Sequence, residues 1–307
     1  MSIRPLAIFD LPYLYSFREE AIGLDTARTL TRGSPLGAVG LMAYVNPSRH
    51  IYSAIANGGK ESLLGGIIHS KDDSFAKLLY LAPASQLGHP DLPALIENLA
   101  AQAGEWGAFH VLAEVEETSE AFVPLRKSGF SVYAWQRMWD VTELPETGLG
   151  VEWTKVKSVH IQSMQNMYHQ IVPPLLLPVE PQPRDGLTGW MCNEGGKCYV
   201  EVSQGVYGIV LAPLIHPEAT DVSSKLASLI ASLPDRRNRP IYVCVRSYQA
   251  WLEPVLADLG ALGASRQAVM VKHLAHLVKD AQAVSAVPSG VSIQPSRVSK
   301  TDAKISK

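Results

Sequence analysis

Cysteine is scarce in this sequence: Cys192, Cys198 and Cys244 are the three in 307 residues, and none forms a Cys-x-x-Cys pair. Cys192 and Cys198 flank "NEGGK", which reads as a hairpin turn that can set them facing across two strands, Cys244 reads as a small core residue, and no further ligands stand at the spacing a zinc site needs. No run approaches the ~18 apolar residues of a membrane helix. The opening "MSIRPLAIFDLPYLY" carries Arg4, Asp10 and two prolines where a signal peptide needs an unbroken apolar core. A net charge of −2 supplies no basic field for nucleic acid and no polybasic patch for a membrane. Gly-x-Ser-x-Gly and Walker loops are missing, so hydrolase and NTPase readings have no support. The histidines are dispersed, apart from His273-x-x-His276, which reads as surface rather than ligand, so no metal site is expected. Arg236-Arg237-x-Arg239 reads as a solvated turn rather than a phosphate site. The expectation is a reduced, cytoplasmic protein with no nucleic-acid or membrane partner.

What is present is a chain long enough for two domains, with an ordinary apolar fraction of 47%. Pro and Gly interrupt the pattern at "ELPETGLG", residues 143–150, which reads as a linker. Beyond about Asp280 the composition turns to Ser, Ala, Val and Lys without an aromatic residue, too little apolar surface to offset ordering entropy. The boundaries expected are therefore domains at 1–142 and 151–278 and a disordered tail at 279–307.

The two halves read alike. "LLYLAPASQLGHPDLPALIENLA" and "GIVLAPLIHPEATDVSSKLASLI" each run from an apolar strand through Leu-Ala-Pro and a polar loop into an amphipathic helix. Pro83 and Pro213, Asp91 and Asp221, and Val111 and Ile241 all stand 130 residues apart. In the first half, "SIRPL" is a strand, and a helix starts at Asp10 with Pro12 in its first turn. "RHIYSAIAN" and "ESLLGGIIHS" are strands around Gly58-Gly59, and "FAKLLYLAP" is a fourth. Leu92, Leu95, Ile96 and Leu99 recur at helical spacing behind Asp91, the expected N-cap. "FHVLAEV", "SEAFVPLRKSG" and "FSVYAWQRMWDV" close the half as strand, helix and strand. The second half repeats the order from "VEWTKV" to "SRQAVMVKHLA", which points to an internal duplication.

This order resembles the GNAT N-acetyltransferases, once per half. "LRKSGFSVYAWQRMW" is similar to that family's "LYEKLGF" helix end and last strand, and "VLADLGALGASRQAVMV" is a looser version. The resemblance implies an α/β fold of two tandem GNAT-like domains, each a twisted, mixed, mostly antiparallel sheet with helices on both faces. It also implies acetyl-CoA or another acyl-CoA as cofactor, with an amine acceptor. The family's Arg/Gln-x-x-Gly-x-Gly/Ala loop delivers a pyrophosphate to unpaired N–H groups at a helix start. Its place falls on Gln86, Leu87 and Gly88 in the first half, with His89 and Asp91 at the glycine positions. In the second half it falls on His216 and Ala219, with Asp221 at the second glycine. A carboxylate there is expected to cap the helix and to compete with phosphate. Oxyanion-binding N–H groups would come from Leu81 and Ala82 or from Leu211 and Ala212. The general-acid Tyr is replaced by Leu125 and Leu256, so no catalytic residue is assigned.

Tyr133 and Tyr248 read as packing aromatics, and Glu114 or Glu116 is a base only if it points into a cleft. The proline-rich stretch Gln170–Trp190 has the look of a lid or contact surface, matching residues 23–48 of the first half. Two readings stand at this point: an acyl-CoA-dependent N-acyltransferase with at most one working half, and a non-catalytic binding protein on the same fold.

Overall fold

Alternating apolar residues set the strands of the first half: β1 (Ser2–Pro5), β2 (Ile22–Gly23), β3 (Arg49–Gly58), β4 (Glu61–Ser70), β5 (Phe75–Ala82), β6 (His110–Glu116) and β7 (Ser131–Asp140). The second half supplies β8 (Trp153–Lys155), β9 (Gly189–Cys192), β10 (Cys198–Gln204), β11 (Ile209–Ile215), β12 (Ile241–Arg246) and β13 (Leu262–His273). The computed structural model describes residues 2–45, 49–58, 61–71, 73–144, 151–183, 188–192 and 197–274. The expected tail, most of the linker and the turn after Gly58 lie outside the described residues.

Where the sequence suggested one sheet per half, the thirteen described strands belong to one sheet, ordered β1-β3-β4-β5-β6-β13-β7-β12-β11-β10-β9-β8, with β2 added on β5. The cause is a crossing of the last strands. β7 does not return beside β6 but pairs with β12, Tyr242 opposite Asp140. β13 takes the place beside β6, Gln267 opposite Glu116, and also lies against β7. Pairing is antiparallel except for β5 with β6 and β11 with β12. Local periodicity specifies a strand but not its partner, so the crossing leaves no local trace in sequence.

Helices cover both faces. On one, α4 (Leu92–Glu105) and α5 (Phe122–Lys127) pack Leu95, Ile96, Leu99 and Leu125 against Leu63, Leu81 and Val111. On the same face of the second half, α7 (Val222–Ser232) and α8 (Leu252–Asp258) bury Leu226, Leu229 and Leu256 against Val200 and Leu211. Each such side chain contributes roughly 1.5–3 kcal/mol. Leu125 and Leu256, the positions of the expected general acid, are fully buried in these cores.

The opposite face carries α1 (Leu11–Ser16), α2 (Thr26–Arg32), α3 (Ala38–Leu41) and α6 (Ile161–Ile171). The stretch 23–48 contains α2 and α3, for which no elements were read from the sequence. Their signals are nonetheless local. Asp25 caps α2 by accepting the Arg28 N–H at 3.2 Å, and Gly33 ends it at φ 78°. This helix then lies on the β10–β11 hairpin, where the Tyr207 N–H donates to the Thr31 carbonyl at 3.0 Å. A Cβ on Gly205 would collide with that same carbonyl.

Candidate functional site

Parallel strands that diverge leave backbone groups without partners, and both parallel pairs of this sheet diverge. β5 and β6 are in register only from Phe75 to Lys77 against His110 to Leu112. Beyond that point the chain itself enters the gap. Ile22 lies opposite Leu81, and Gly23 opposite Tyr80. Leu24 donates to the Leu79 carbonyl at 2.9 Å, and its own carbonyl accepts the Glu114 N–H at 2.8 Å. Because antiparallel bonding alternates by two, the 24/79 bond makes Ile22 and Leu81 a bonded pair as well. Leu81 and Ala82 also face Gly65 and Leu64 on the other side.

The second gap is closed by a side chain. β11 and β12 are in register from Ile209 to Leu211 against Ile241 to Val243. Past that point the Gln249 amide, 1% exposed, accepts the Ile215 N–H at 2.9 Å and donates to the Pro213 carbonyl at 2.8 Å. A planar amide thus takes one donor and one acceptor of the strand edge, as a peptide unit of a further strand would. Nothing in the local sequence marks Gln249 for this role.

The helix-start loops hold a surprise of a different kind. Asp91 stands at the cap position of α4 and Asp221 at that of α7, yet neither carboxylate accepts a helix N–H. Asp221 is exposed with φ 53°, and the Asp91 N–H donates to His89 Nδ1 at 3.2 Å. The expected capping carboxylates are therefore corrected to uncapped positions: both residues have already turned out of the extended backbone that side-chain capping requires. His216 Nδ1 likewise accepts the Glu218 N–H at 3.2 Å, and the Ala219 N–H donates to the His216 carbonyl at 2.9 Å. Gln86 lies in a short helical turn, Leu87 is buried in the first core, and Gly88 is exposed with open space around it. Leu211 is buried in the second core. Of the positions the resemblance named, Ala212 alone lines the large cavity of the molecule.

That cavity, about 650 Å³, lies on the α2 and α6 face and is walled by both halves. Its roof includes α2, Tyr168 of α6 and the proline-rich segment through Pro183. Glu180 anchors that segment: its carbonyl accepts Tyr168 Oη at 2.8 Å, and its Oε1 accepts Arg246 Nε at 3.0 Å and Tyr248 Oη at 3.1 Å. Val179 packs on Leu112 and Val271. The stretch read as a lid or contact surface is thus pinned over the sheet by a buried ion pair.

Charge concentrates on the cavity floor. Lys77 Nζ lies 3.2 Å from the Asp25 carboxylate. Glu114 accepts the Thr26 N–H at 2.9 Å and lies 3.8 Å from Arg246. Of the two carboxylates weighed as a base, it is Glu114 that points inward, and Glu116 is exposed. Gln136 and Gln267, opposite each other on β7 and β13, join at 2.9 Å, and Gln136 also accepts from Arg246. Burial opposes charge on both Asp25 and Lys77. Their mutual attraction prevails, holding the Asp25 carboxyl below the ordinary value and Lys77 above it. Burial together with Glu180 pushes the Tyr133 and Tyr248 hydroxyls up, and burial raises the Cys244 thiol to about 12. Burial, with His273 beside it, lowers His110, whose Nε2 has no hydrogen-bond partner. Tyr133 Oη, Tyr199 Oη and Glu180 Oε2 are also buried without one.

Metal-ligating clusters are absent among the described residues, and no described helix is long and apolar enough to cross a membrane. His276 of the histidine pair lies outside the described residues. The arginine turn is structural: Arg236 donates to the Thr142 carbonyl, and Arg239 to those of Gly205 and Asp235.

No family model and no curated protein matches the chain. Solved structures do. A GCN5-related N-acetyltransferase from Sphaerobacter thermophilus matches with a TM-score of 0.55 at 11% identity, over 89% of this chain and 95% of that one. A tandem GNAT protein from the clavulanic acid biosynthesis pathway gives 0.53 at 13% identity, over 89% and 98%. At such identities the likeness establishes the fold alone: α/β and GNAT-like, a mixed, mostly antiparallel sheet flanked by helices.

Proposed function

We propose that this chain is a binding protein for a small, positively charged molecule seated in the central cavity, and that it does not transfer acyl groups from CoA. One observation carries the reading: both diverging strand pairs, at the strand ends where the resemblance puts the oxyanion-binding N–H groups, are closed by the chain's own groups, Leu24 in one and Gln249 in the other. A cofactor would have to displace buried hydrogen bonds at each, and stranding such groups costs about 1–3 kcal/mol apiece.

The sign of the ligand follows from the walls. Asp25, Asp73, Glu114, Glu180 and Glu201 line the cavity against Arg28, Lys77 and Arg246, five carboxylates to three cations. A cavity of this size suits a small molecule, and the convergent polar groups on an aromatic and aliphatic wall are what orient one. We read the architecture as two GNAT-like copies, 1–142 and 151–278, joined at 143–150 and interlocked by their last strands. The interlocking supports a cavity built from both copies together.

The rival reading, an N-acyltransferase with one working half, requires Leu24 or Gln249 to leave its place. Thermal unfolding separates the two. Millimolar acetyl-CoA is expected to leave the midpoint unchanged, whereas a panel of small diamines and amino-acid amides is expected to contain compounds that raise it. A ligand at 100 times its Kd stabilises by about 2.7 kcal/mol. A midpoint raised by acetyl-CoA and by no amine would reverse the assignment.

A further inference from the structure

Cys192 and Cys198 have no part in the cavity, yet the sheet brings them together. Register places Tyr199 opposite Met191 and Val200 opposite Trp190, so one step outward Cys198 faces Cys192. The Val202 N–H donates to the Thr188 carbonyl at 2.7 Å, which fixes the parity of the ladder. Pairs 202/188, 200/190 and 198/192 are therefore of the hydrogen-bonded kind, with Cα atoms ~5.5 Å apart. That lies within the ~4.4–6.8 Å a disulfide spans. Both side chains point into one apolar cluster, 1% and 0% exposed, and both are free thiols.

We infer that Cys192 and Cys198 are a reversible redox couple that closes to a cross-strand disulfide. The oxidant is a low-molecular-weight disulfide of the glutathione type. One cysteine thiolate attacks it and releases one small thiol; the second cysteine thiolate attacks the mixed disulfide and releases the other. Two protein thiols and one small disulfide become one protein disulfide and two small thiols.

The geometry makes the bond reversible. Cβ atoms of a hydrogen-bonded pair stand at the wide end of the ~4.5–5.5 Å cross-strand range, against ~3.8 Å in an unstrained disulfide. Closing the bond draws β9 towards β10 and stores strain, and strained disulfides are the readily reduced ones. The pull reaches the cavity directly, because Tyr199 and Glu201 of β10 form part of its wall. Burial, with Cys192 beside it, raises the Cys198 thiol to about 11, so the exchange is slow in the closed fold and proceeds through opening of the β9–β10 end.

The test equilibrates the full chain in glutathione buffers of graded ratio, traps thiols with acid, and digests with trypsin. Cleavage after Lys197 parts the two cysteines into separate peptides unless a disulfide holds them. The expected result is a linked pair, lighter by two hydrogens than its separate peptides, in protein that still unfolds cooperatively. Cys244 stays reduced, and the pair is recovered as thiols on return to reducing buffer. The inference is overturned if, once the mixture no longer changes, the two peptides remain separate as thiols or as single glutathione adducts. It is equally overturned if linkage appears only in protein that has lost its cooperative transition.

Discussion

Gln249 bonds to Ile215 as a missing strand would: its Oε1 takes the Ile215 N–H at 2.9 Å, and the same amide returns a hydrogen bond to the strand at Pro213. Leu24 does the equivalent with backbone in the other half, bridging Leu79 and Glu114. Two chemically different solutions close two equivalent gaps.

Replacing Gln249 by Leu keeps the volume near Pro213 and Ile215 but strands one buried donor and one buried acceptor. The expected loss is about 2–4 kcal/mol of unfolding free energy, read from the urea midpoint at constant m. A change below about 0.5 kcal/mol would show that water reaches this edge and that the amide is not needed to close it.

The pinning of the proline-rich segment gives a second prediction. Arg246→Met leaves Glu180 as a buried, uncompensated carboxylate and is expected to cost about 3–5 kcal/mol. The double variant Arg246→Met, Glu180→Gln is expected to recover part of that loss, because the stranded charge is gone. Urea unfolding of the four proteins in the cycle measures the coupling. Strict additivity would mean that the two residues act separately.

Much of this arrangement was readable before any coordinates, and the reasons for the remainder are specific. Leu92, Leu95, Ile96 and Leu99 announce α4 because helical period and burial coincide. Asp25 and Gly33 carry ordinary cap signals for α2, but Pro35 between Gly33 and Gly37 breaks the helical pattern directly after it and leaves only a short apolar signal. The sequence offers Glu114 and Glu116 as alternatives without deciding which points inward, and it does not single out Asp25, Lys77, Glu180 or Arg246. Their meeting depends on contacts between residues as far apart as Glu114 and Arg246, and no local pattern encodes such a distance. The Asp91 and Asp221 caps show the converse failure: the right residue type stands at the right position, and the backbone angles withdraw its side chain.

Asp25 and Lys77 predict a pH dependence with a definite sign. The folded-state pKa of Asp25 is lowered, so its contribution is complete above the ordinary carboxylate value of ~3.9 and disappears as pH falls through the folded value. Lys77 is raised, so its contribution is complete below ~10.4 and disappears as pH rises through its folded value. Asp25→Asn is therefore expected to be less stable than the parent at pH 7. The gap should narrow as pH is lowered past about 4. Urea midpoints at pH 3, 5 and 7 check this; a gap independent of pH would attribute the effect to the helix cap alone.

Cys244 lies beside Arg246, Glu114 and Glu180, and burial holds its thiol near 12. A thiol held this far above its ordinary range is a poor nucleophile near neutral pH, so alkylation by iodoacetamide is expected to be much slower in the folded protein than after unfolding. Mass spectrometry of native and urea-treated protein reads the difference directly. Equally rapid labelling of Cys244 in native and unfolded protein would show that its surroundings do not hold the thiol protonated.

Native-state amide hydrogen exchange, with and without millimolar acetyl-CoA, tests most directly whether the chain fills its own strand gaps. The amides of Leu24, Glu114 and Ile215 are expected to exchange slowly in the free protein and at unchanged rates with the nucleotide present. Fast exchange at these three positions in the free protein, followed by protection when acetyl-CoA is added, would contradict the account.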